Sequence, residues 1–154
     1  MIDLGTLVTP DRVLLDLKAT SKRQVLRSLA QAAARVTGVD AEVILEALLQ
    51  RERLGTTGLG GGIAIPHARI PELAGFTGFF ARLAKPVDFE AVDGEPVDLV
   101  FLLLAPEGAG TDHLKALARI ARLLRDEELC EALRACEDRA KVHAILVGRP
   151  EGPR

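Results

Sequence analysis

The chain has 154 residues, a formal net charge of −2 and 27% charged residues. This near-neutral balance argues against a protein that binds nucleic acid, because such proteins carry an excess of basic residues. Aromatic residues make up 3% of the sequence, and no run of apolar residues approaches the ~20 that span a bilayer. The N-terminal stretch carries charges where a signal peptide needs an apolar segment. We therefore expect a soluble, cytoplasmic protein without membrane insertion, folded as one domain.

The first half of the chain predicts a strand followed by two helices. Apolar residues at 13–17 indicate the strand. Ser21 and Gln24 have the spacing of a capping box, and the apolar positions after them predict an amphipathic helix that ends at Gly38. Asp40 lies at the N-cap position of a second helix. The short link between the helices predicts that they pack against each other.

The second half predicts two further strands and three helices. One strand is expected over about residues 76–84, and proline 86 is expected to end it. Residues 98–106 form a near-continuous apolar run, which indicates a central strand covered on both faces. Thr111 and Asp126 are the predicted N-caps of the first two helices. Strands that alternate with helices predict an α/β fold with helices on both sides of a sheet.

Residues 51–69, RERLGTTGLGGGIAIPHAR, combine glycines, hydroxyls, arginines and a histidine. Four of the five residues at 58–62 are glycine, which suits a backbone that bends sharply or approaches a ligand closely. Residues 63–65 predict a short buried strand that Pro66 ends, because proline cannot donate to a ladder. His67 is thus expected at the exit of a rigid element, where reactive groups are often placed.

A second histidine, His113, lies two residues after Thr111 in the first turn of its predicted helix. The positive end of the helix dipole disfavours an imidazolium ion there, so His113 is expected to be neutral. Both His113 and His67 follow predicted strands, and sites in open α/β sheets gather beyond the carboxyl ends of strands. We therefore predict that the two imidazoles meet. His143, inside the last predicted helix, is interpreted as a surface or boundary residue.

Phosphoryl transfer through a phosphohistidine is one interpretation of this pair. A neutral imidazole can attack phosphorus, and the rest of the site must supply donors to the phosphoryl oxygens and a nearby cation. The chain offers the backbone amides of residues 58–62, the hydroxyls of Thr56 and Thr57, and the side chain of Arg51 or Arg69.

Two other interpretations remain open on the residues alone. A metal site would need Glu107 or Asp112 to complete the two histidines, and no HxxxH or CxxC spacing supports it. A glycine-rich turn with a histidine satisfied by backbone would be purely structural. A nucleotide site is unsupported, because no Gly-Lys-Ser/Thr follows the glycines and the run precedes a strand rather than following one.

The pattern RExxxTTGxGxGIAIPHxR at 51–69 resembles the active-site signature of enzyme IIA domains of the phosphoenolpyruvate-dependent phosphotransferase system, in the fructose/mannitol/nitrogen class (EIIA type 2). DHLKALARIARLL at 112–124 is a second match. The resemblance implies a single α/β domain of this type over residues 1–150, with a mixed sheet and helices on both faces. Residues 151–154 are expected to form a frayed tail.

The resemblance also implies roles for individual residues. His67 corresponds to the histidine that accepts a phosphoryl group from HPr, or from its nitrogen-branch relative, on Nε2 while a backbone carbonyl holds Nδ1. His113 corresponds to a second histidine that steadies the phosphoryl group. Arg51, Thr56 and Thr57 correspond to the arginine and the hydroxyl pair of the signature. No cofactor and no metal is implied.

The family divides by use. Sugar-transport members pass the phosphoryl group to a IIB domain, whereas nitrogen-branch members stand alone and regulate target proteins. We take a phosphocarrier for sugar uptake as the first interpretation and a stand-alone nitrogen-type regulator as the alternative. The Gly61-Gly62 pair departs from the family pattern, since the first of these positions is commonly a larger residue.

Overall fold

The computed structural model of the protein describes residues 4–148, so the predicted tail at 151–154 lies outside the described residues. In that range the strands are β1 (Val13–Leu17), β2 (Gly58–Gly60), β3 (Ile63–Ala64), β4 (His67–Ile70), β5 (Thr77–Val87) and β6 (Val97–Pro106). The helices are α1 (Leu4–Leu7), α2 (Lys22–Thr37), α3 (Ala41–Leu54), α4 (Asp112–Leu123), α5 (Glu127–Ala135) and α6 (Arg139–Val147), with 3-10 turns at Pro10–Arg12 and Glu107–Ala109. None of the helices within 4–148 is long and apolar enough to cross a membrane.

The sheet is mixed, and β6 lies at its centre. The strand order is β1-β5-β6-β3-β2, with β4 also paired to β6. Strand β6 runs antiparallel to β5 and parallel to β3 and β4. Its side chains alternate between two cores: Val100, Leu102 and Leu104 pack with α2 and α3, whereas Leu99, Phe101 and Leu103 pack with α4, α5 and α6. The predicted α/β domain, with a mixed sheet and helices on both faces, is confirmed.

Most predicted helix starts are confirmed by side-chain caps. Ser21 accepts a hydrogen bond from the backbone N of Gln24 at 3.2 Å, Asp40 caps α3 and Asp126 caps α5. The capping box is only half formed, because the Gln24 side chain accepts from the backbone N of Thr20 at 2.7 Å.

The start of α4 differs from its prediction. Thr111 occupies the N-cap position but makes no capping hydrogen bond through its side chain. Leu114 is 63% exposed although it is apolar, whereas His113 is only 7% exposed. The buried face of the helix therefore includes His113, Ala116 and Ile120. The rotation of α4 turns the imidazole inward.

Strand β3 ends before Pro66 as predicted, but the chain re-enters the sheet at once, and Pro86 does not end its strand. After Pro66 the chain stays in the sheet and forms β4, and the Pro66 carbonyl accepts a hydrogen bond from the backbone N of Leu103 at 3.0 Å. Pro86 lies inside β5, in the irregular part of its pairing with β6 between Arg82 and Val87. Proline is tolerated at such bulges because no ladder hydrogen bond is required there.

The glycine run makes the sharp bend that its composition predicts. Gly60, Gly61 and Gly62 all have positive φ, at 104°, 66° and 81°. The bend joins β2 to β3, which are antiparallel. A Cβ at Gly62 would lie 2.6 Å from Nη2 of Arg134, whereas one at Gly61 would meet nothing within 4 Å. The departure from the family pattern at position 61 therefore leaves open space at the loop surface.

Candidate functional site

The structure brings His67 and His113 together. His67 is the first residue of β4, opposite Leu103 of the central strand, and is half-buried. His113 lies in the first turn of α4, which follows β6 after a short 3-10 turn. Their ring centroids are 5.5 Å apart and the ring planes meet at 71°. The predicted meeting of the two imidazoles is confirmed.

The hydrogen bonds of His67 define its tautomer. Nδ1 lies 2.8 Å from the carbonyl oxygen of Ile65, which can only accept, so Nδ1 carries the proton. The Arg51 Nε–H donates to Nε2 at 3.1 Å, so Nε2 carries the lone pair. Burial is the main cause that lowers the pKa of His67; the Ile65 hydrogen bond opposes it and the Arg51 charge adds to it. His67 is therefore a neutral imidazole whose lone pair points towards a cation.

His113 has the opposite tautomer. The Arg69 Nε–H donates to Nδ1 of His113 at 3.1 Å, which requires the proton to be on Nε2. That Nε2–H is buried and has no hydrogen-bond partner among the described residues. Burial, followed by the neighbouring His67 and Arg69, lowers the pKa of His113 to about 4. The lowered pKa agrees with the predicted neutral imidazole, and burial is its largest cause.

The two arginines divide between the two histidines. Arg51, in the last turn of α3, also donates through Nη1 to the Gly55 carbonyl at 2.8 Å. Arg69, in β4, donates through Nη2 to the Gly110 carbonyl at 2.9 Å. These backbone anchors hold both guanidinium groups in place. The sequence leaves the cation as either Arg51 or Arg69, whereas the structure places one beside each ring.

The two threonines have partners elsewhere in the fold. The Thr56 hydroxyl donates to the Phe89 carbonyl at 2.6 Å and accepts from the Gly58 backbone N at 3.0 Å. Thr57 is buried, and its hydroxyl donates to the carboxylate of Glu52. Their role as phosphoryl-stabilising groups stays a prediction, and a phosphoryl group would have to compete with these bonds.

A cleft of about 460 Å³ opens over the two rings. Its lining residues are Ala47, Gln50, Arg51, Leu54, His67, Ala68, Arg69 and His113. Residues 58–62 are not among them, so the predicted cradle of glycine amides around His67 is wrong. The positive-φ turn carries these residues away from the histidine, where Gly61 donates to Asp93 and accepts from Nη2 of Arg134.

A metal centre has no ligand set within residues 4–148. No group of three or more His, Cys, Asp or Glu side chains in that range could hold a metal ion. Glu107 contacts the site through its backbone carbonyl, which accepts from Arg69 at 3.4 Å.

Sequence reasoning missed Glu52, whose carboxylate accepts from the backbone and the hydroxyl of Thr57. The available signal was its position next to Arg51 in the RE pair, at the end of a helix that leads into the site. A negative charge near the C-terminus of a helix is disfavoured by the helix dipole. A carboxylate at that position therefore indicates a positively charged or hydrogen-bonding partner elsewhere.

Comparison with known proteins agrees with this geometry. The family described as "Phosphoenolpyruvate-dependent sugar phosphotransferase system, EIIA 2" matches residues 6–148. This chain belongs to that family. The resemblance inferred from the motifs at 51–69 and 112–124 is thereby confirmed, and the EIIA domain is a member of a family of phosphotransfer proteins.

Two nitrogen regulatory proteins and a fructose-specific EIIA component are similar to this EIIA domain over nearly its whole length. A nitrogen regulatory protein of Bradyrhizobium diazoefficiens is 56% identical over 144 residues, which cover 94% of each chain. A fructose-specific EIIA component of the phosphotransferase system of Haloferax volcanii is 37% identical over 147 residues, again 94% of each chain. The crystal structure of the nitrogen regulatory protein IIA-Ntr from Neisseria meningitidis is 36% identical, with a TM-score of 0.89 over 93% of this chain and 98% of that chain.

The lowered pKa of His113 predicts how stability depends on pH. Between about pH 6.5, the ordinary value, and about pH 4, the unfolded chain binds a proton that folded His113 does not. The free energy of unfolding should therefore decrease as pH falls through this window. His113→Gln cannot titrate, so its free energy of unfolding should change less over the same range. Urea unfolding of both proteins at several pH values measures this, and equal slopes would contradict the assignment.

Proposed function

We propose that this protein is a cytoplasmic phosphocarrier of the nitrogen-regulatory type, which takes a phosphoryl group on Nε2 of His67 and binds target proteins according to its phosphorylation state. The 56% identity to a nitrogen regulatory protein supports the regulatory use. Phosphoryl delivery to a IIB domain in sugar uptake, the first interpretation of the sequence, has weaker support, because the fructose-specific relative is 37% identical.

The observation that carries the phosphocarrier proposal is the tautomer of His67. With the proton held on Nδ1 by the Ile65 carbonyl, the lone pair of Nε2 is available to attack phosphorus. The donor is a phosphohistidine of an HPr-type carrier or its nitrogen-branch relative. The new bond joins Nε2 to phosphorus, the bond from phosphorus to the donor nitrogen breaks, and the donor ring keeps that electron pair. The transfer balances without water, metal or cofactor.

Arg51 changes partner during this transfer. Its Nε–H now donates to the Nε2 lone pair, which phosphorus would take over. The Nε–H must then donate to a phosphoryl oxygen, and the charge of the guanidinium offsets the dianion. The same side chain that shields the lone pair in the free protein thus becomes the counter-charge of the product.

His113 offers a hydrogen-bond donor to the oxygens of the phosphoryl group. Its buried Nε2–H has no partner among the described residues, and leaving such a donor unpaired is costly. The ring centroids are 5.5 Å apart, and we infer that a phosphoryl group on His67 would be within reach of this donor. A hydrogen bond from His113 to a phosphoryl oxygen would satisfy the donor only in the phosphorylated state.

The mouth of the cleft suits a protein partner with an apolar surface. Leu54, which lines the cleft, is 85% exposed, and Leu114, next to His113, is 63% exposed. Contiguous exposed apolar patches mark protein interaction sites, and we infer that these two leucines belong to one. The phosphocarrier that donates and the protein that receives would both use this rim.

The first test is phosphorylation by phosphoenolpyruvate, enzyme I and an HPr-type carrier. The wild-type protein should gain one acid-labile phosphate, measured by intact mass, and His67→Ala should gain none because the nucleophile is missing. His143→Ala is the matched control, since His143 bonds the Val8 carbonyl in another part of the fold, and it should label like the wild type. An unlabelled wild type, or a labelled His67→Ala, would refute the assignment.

A second test separates regulation from sugar uptake. Phosphorylated protein is mixed with a fructose-type IIB domain, and the label remaining on His67 is followed over time. A nitrogen-type regulator should keep its label about as long as in buffer alone, because a IIB domain is not its recipient. Rapid and complete transfer to the IIB domain would favour sugar uptake instead.

A third test concerns the donor on His113. Removing one preorganised hydrogen-bond donor costs roughly 100-fold in rate, so His113→Ala should slow single-turnover transfer by about that factor while the fold is kept. His113→Gln places an amide N–H near the position of Nε2 and should lose less. Wild-type rates of acceptance and donation in His113→Ala would show that the role is wrong.

A further inference from the structure

We propose that Glu52 is a positioning residue for His67: its buried carboxylate, anchored by Lys22, holds the backbone that sets the tautomer and orientation of the imidazole. This inference rests on the proposed function for its effect on rate, but its effect on the tautomer stands without it. Glu52 does not line the cleft over the histidines. Its charge raises the pKa of His67 from a distance, and its effect on the tautomer passes through other residues.

The carboxylate of Glu52 is held from several sides. Its side chain is 7% exposed, and Oε1 lies 2.9 Å from Nζ of Lys22. Oε1 also accepts from the backbone N of Thr57 at 3.1 Å, and Oε2 accepts from the Thr57 hydroxyl. A buried charge is costly unless it is paired and hydrogen-bonded, and here both oxygens have donors. The position of Thr57 is thereby tied to the end of α3.

Thr57 passes this constraint to His67 through one residue. The Thr57 carbonyl accepts from the backbone N of Ile65 at 3.0 Å, and the Ile65 carbonyl is the group that holds Nδ1 of His67 at 2.8 Å. Ile65 lies in the gap between β3 and β4, and its neighbour Pro66 has no N–H to bond. The bond to Thr57 is therefore a principal restraint on the peptide that fixes the ring.

The same helical turn also positions the other side of the imidazole. Arg51 precedes Glu52 in the last turn of α3 and donates to Nε2 of His67 at 3.1 Å. When Glu52 fixes this turn against Thr57, it sets the approach of Arg51 to one ring nitrogen and that of Ile65 to the other. Loss of the carboxylate should loosen both contacts together.

A purely structural role for Glu52 is the alternative, since Lys22 belongs to α2 and the ion pair joins two helices. Buried ion pairs are weak evidence for stability, because desolvation offsets most of their attraction. The two roles differ in a readout that is independent of stability, namely the protonation of the two ring nitrogens of His67.

The decisive experiment compares Glu52→Gln with wild type by ¹⁵N NMR of the His67 ring and by single-turnover phosphorylation. Glutamine keeps the size but loses the charge that pairs with Lys22, and its single oxygen cannot accept at both of the positions that Thr57 uses. We expect neutral His67 to be essentially all Nδ1–H in the wild type and a mixture of tautomers in the variant. The rate at saturating carrier should fall about tenfold, as for other small losses of alignment, with KM for the carrier unchanged.

The matched control is Glu90→Gln, because Glu90 pairs with the same lysine but is 77% exposed and makes no bond to Thr57. It should leave both the tautomer and the rate as in the wild type. If Glu52→Gln does not fold, Lys22→Met removes the anchor while leaving the carboxylate, and it should also shift the tautomer.

Two outcomes would overturn the proposal: a folded Glu52→Gln with only the Nδ1–H tautomer and wild-type rate, or a variant that loses stability with no change at the ring. If Glu52→Gln does not fold, an unchanged tautomer in Lys22→Met would also overturn the proposal. A wild-type protein that takes no phosphoryl group would instead refute the proposed function. The comparison of tautomers would still decide the role of Glu52 in that case.

Discussion

The hydrogen bond from Nδ1 of His67 to the carbonyl of Ile65 is the interaction on which the rest of the site depends. It decides which ring nitrogen has the lone pair, and the placement of Arg51 and His113 has chemical meaning only relative to that choice. The bond is possible because Ile65 lies in the gap between β3 and β4, where its backbone N bonds the Thr57 carbonyl rather than another strand. A continuous strand would direct the Ile65 carbonyl to a neighbouring strand rather than to a side chain two residues away.

The charges of the site are arranged for an anion. Two guanidinium groups lie against two imidazoles whose pKa values are both lowered. Protonating either ring would add a third positive charge at close range in a half-buried cleft, so the rings stay neutral and the arginines supply the charge. A dianionic phosphoryl group would complement these two cations, and the unpaired Nε2–H of His113 gives it one directed donor.

Sequence patterns predicted the parts of this structure that depend on local chemistry. Hydrophobic periodicity and capping residues identified α2, α3 and α5, and the unbroken apolar run identified β6 as the central strand. The meeting of the two histidines followed from their positions after strands. The direction of the glycine turn could not be predicted from the sequence. It depends on Asp93 and Arg134, which lie 32 and 73 residues from Gly61 along the chain. The tautomers depend on partners equally remote, such as Arg69, 44 residues from His113.

The lowered pKa of His67 bears on both directions of transfer. A less basic nitrogen is a poorer nucleophile towards phosphorus but a better leaving group from it, so burial of the ring favours release while it disfavours attack. A carrier must do both with comparable ease. In the proposed transfer, Arg51 and His113 would offset the weaker attack by stabilising charge on the phosphoryl oxygens, and the Ile65 carbonyl would keep the proton on Nδ1 so that the ring departs as a neutral imidazole. The burial that weakens the nucleophile is therefore part of what makes the bond reversible.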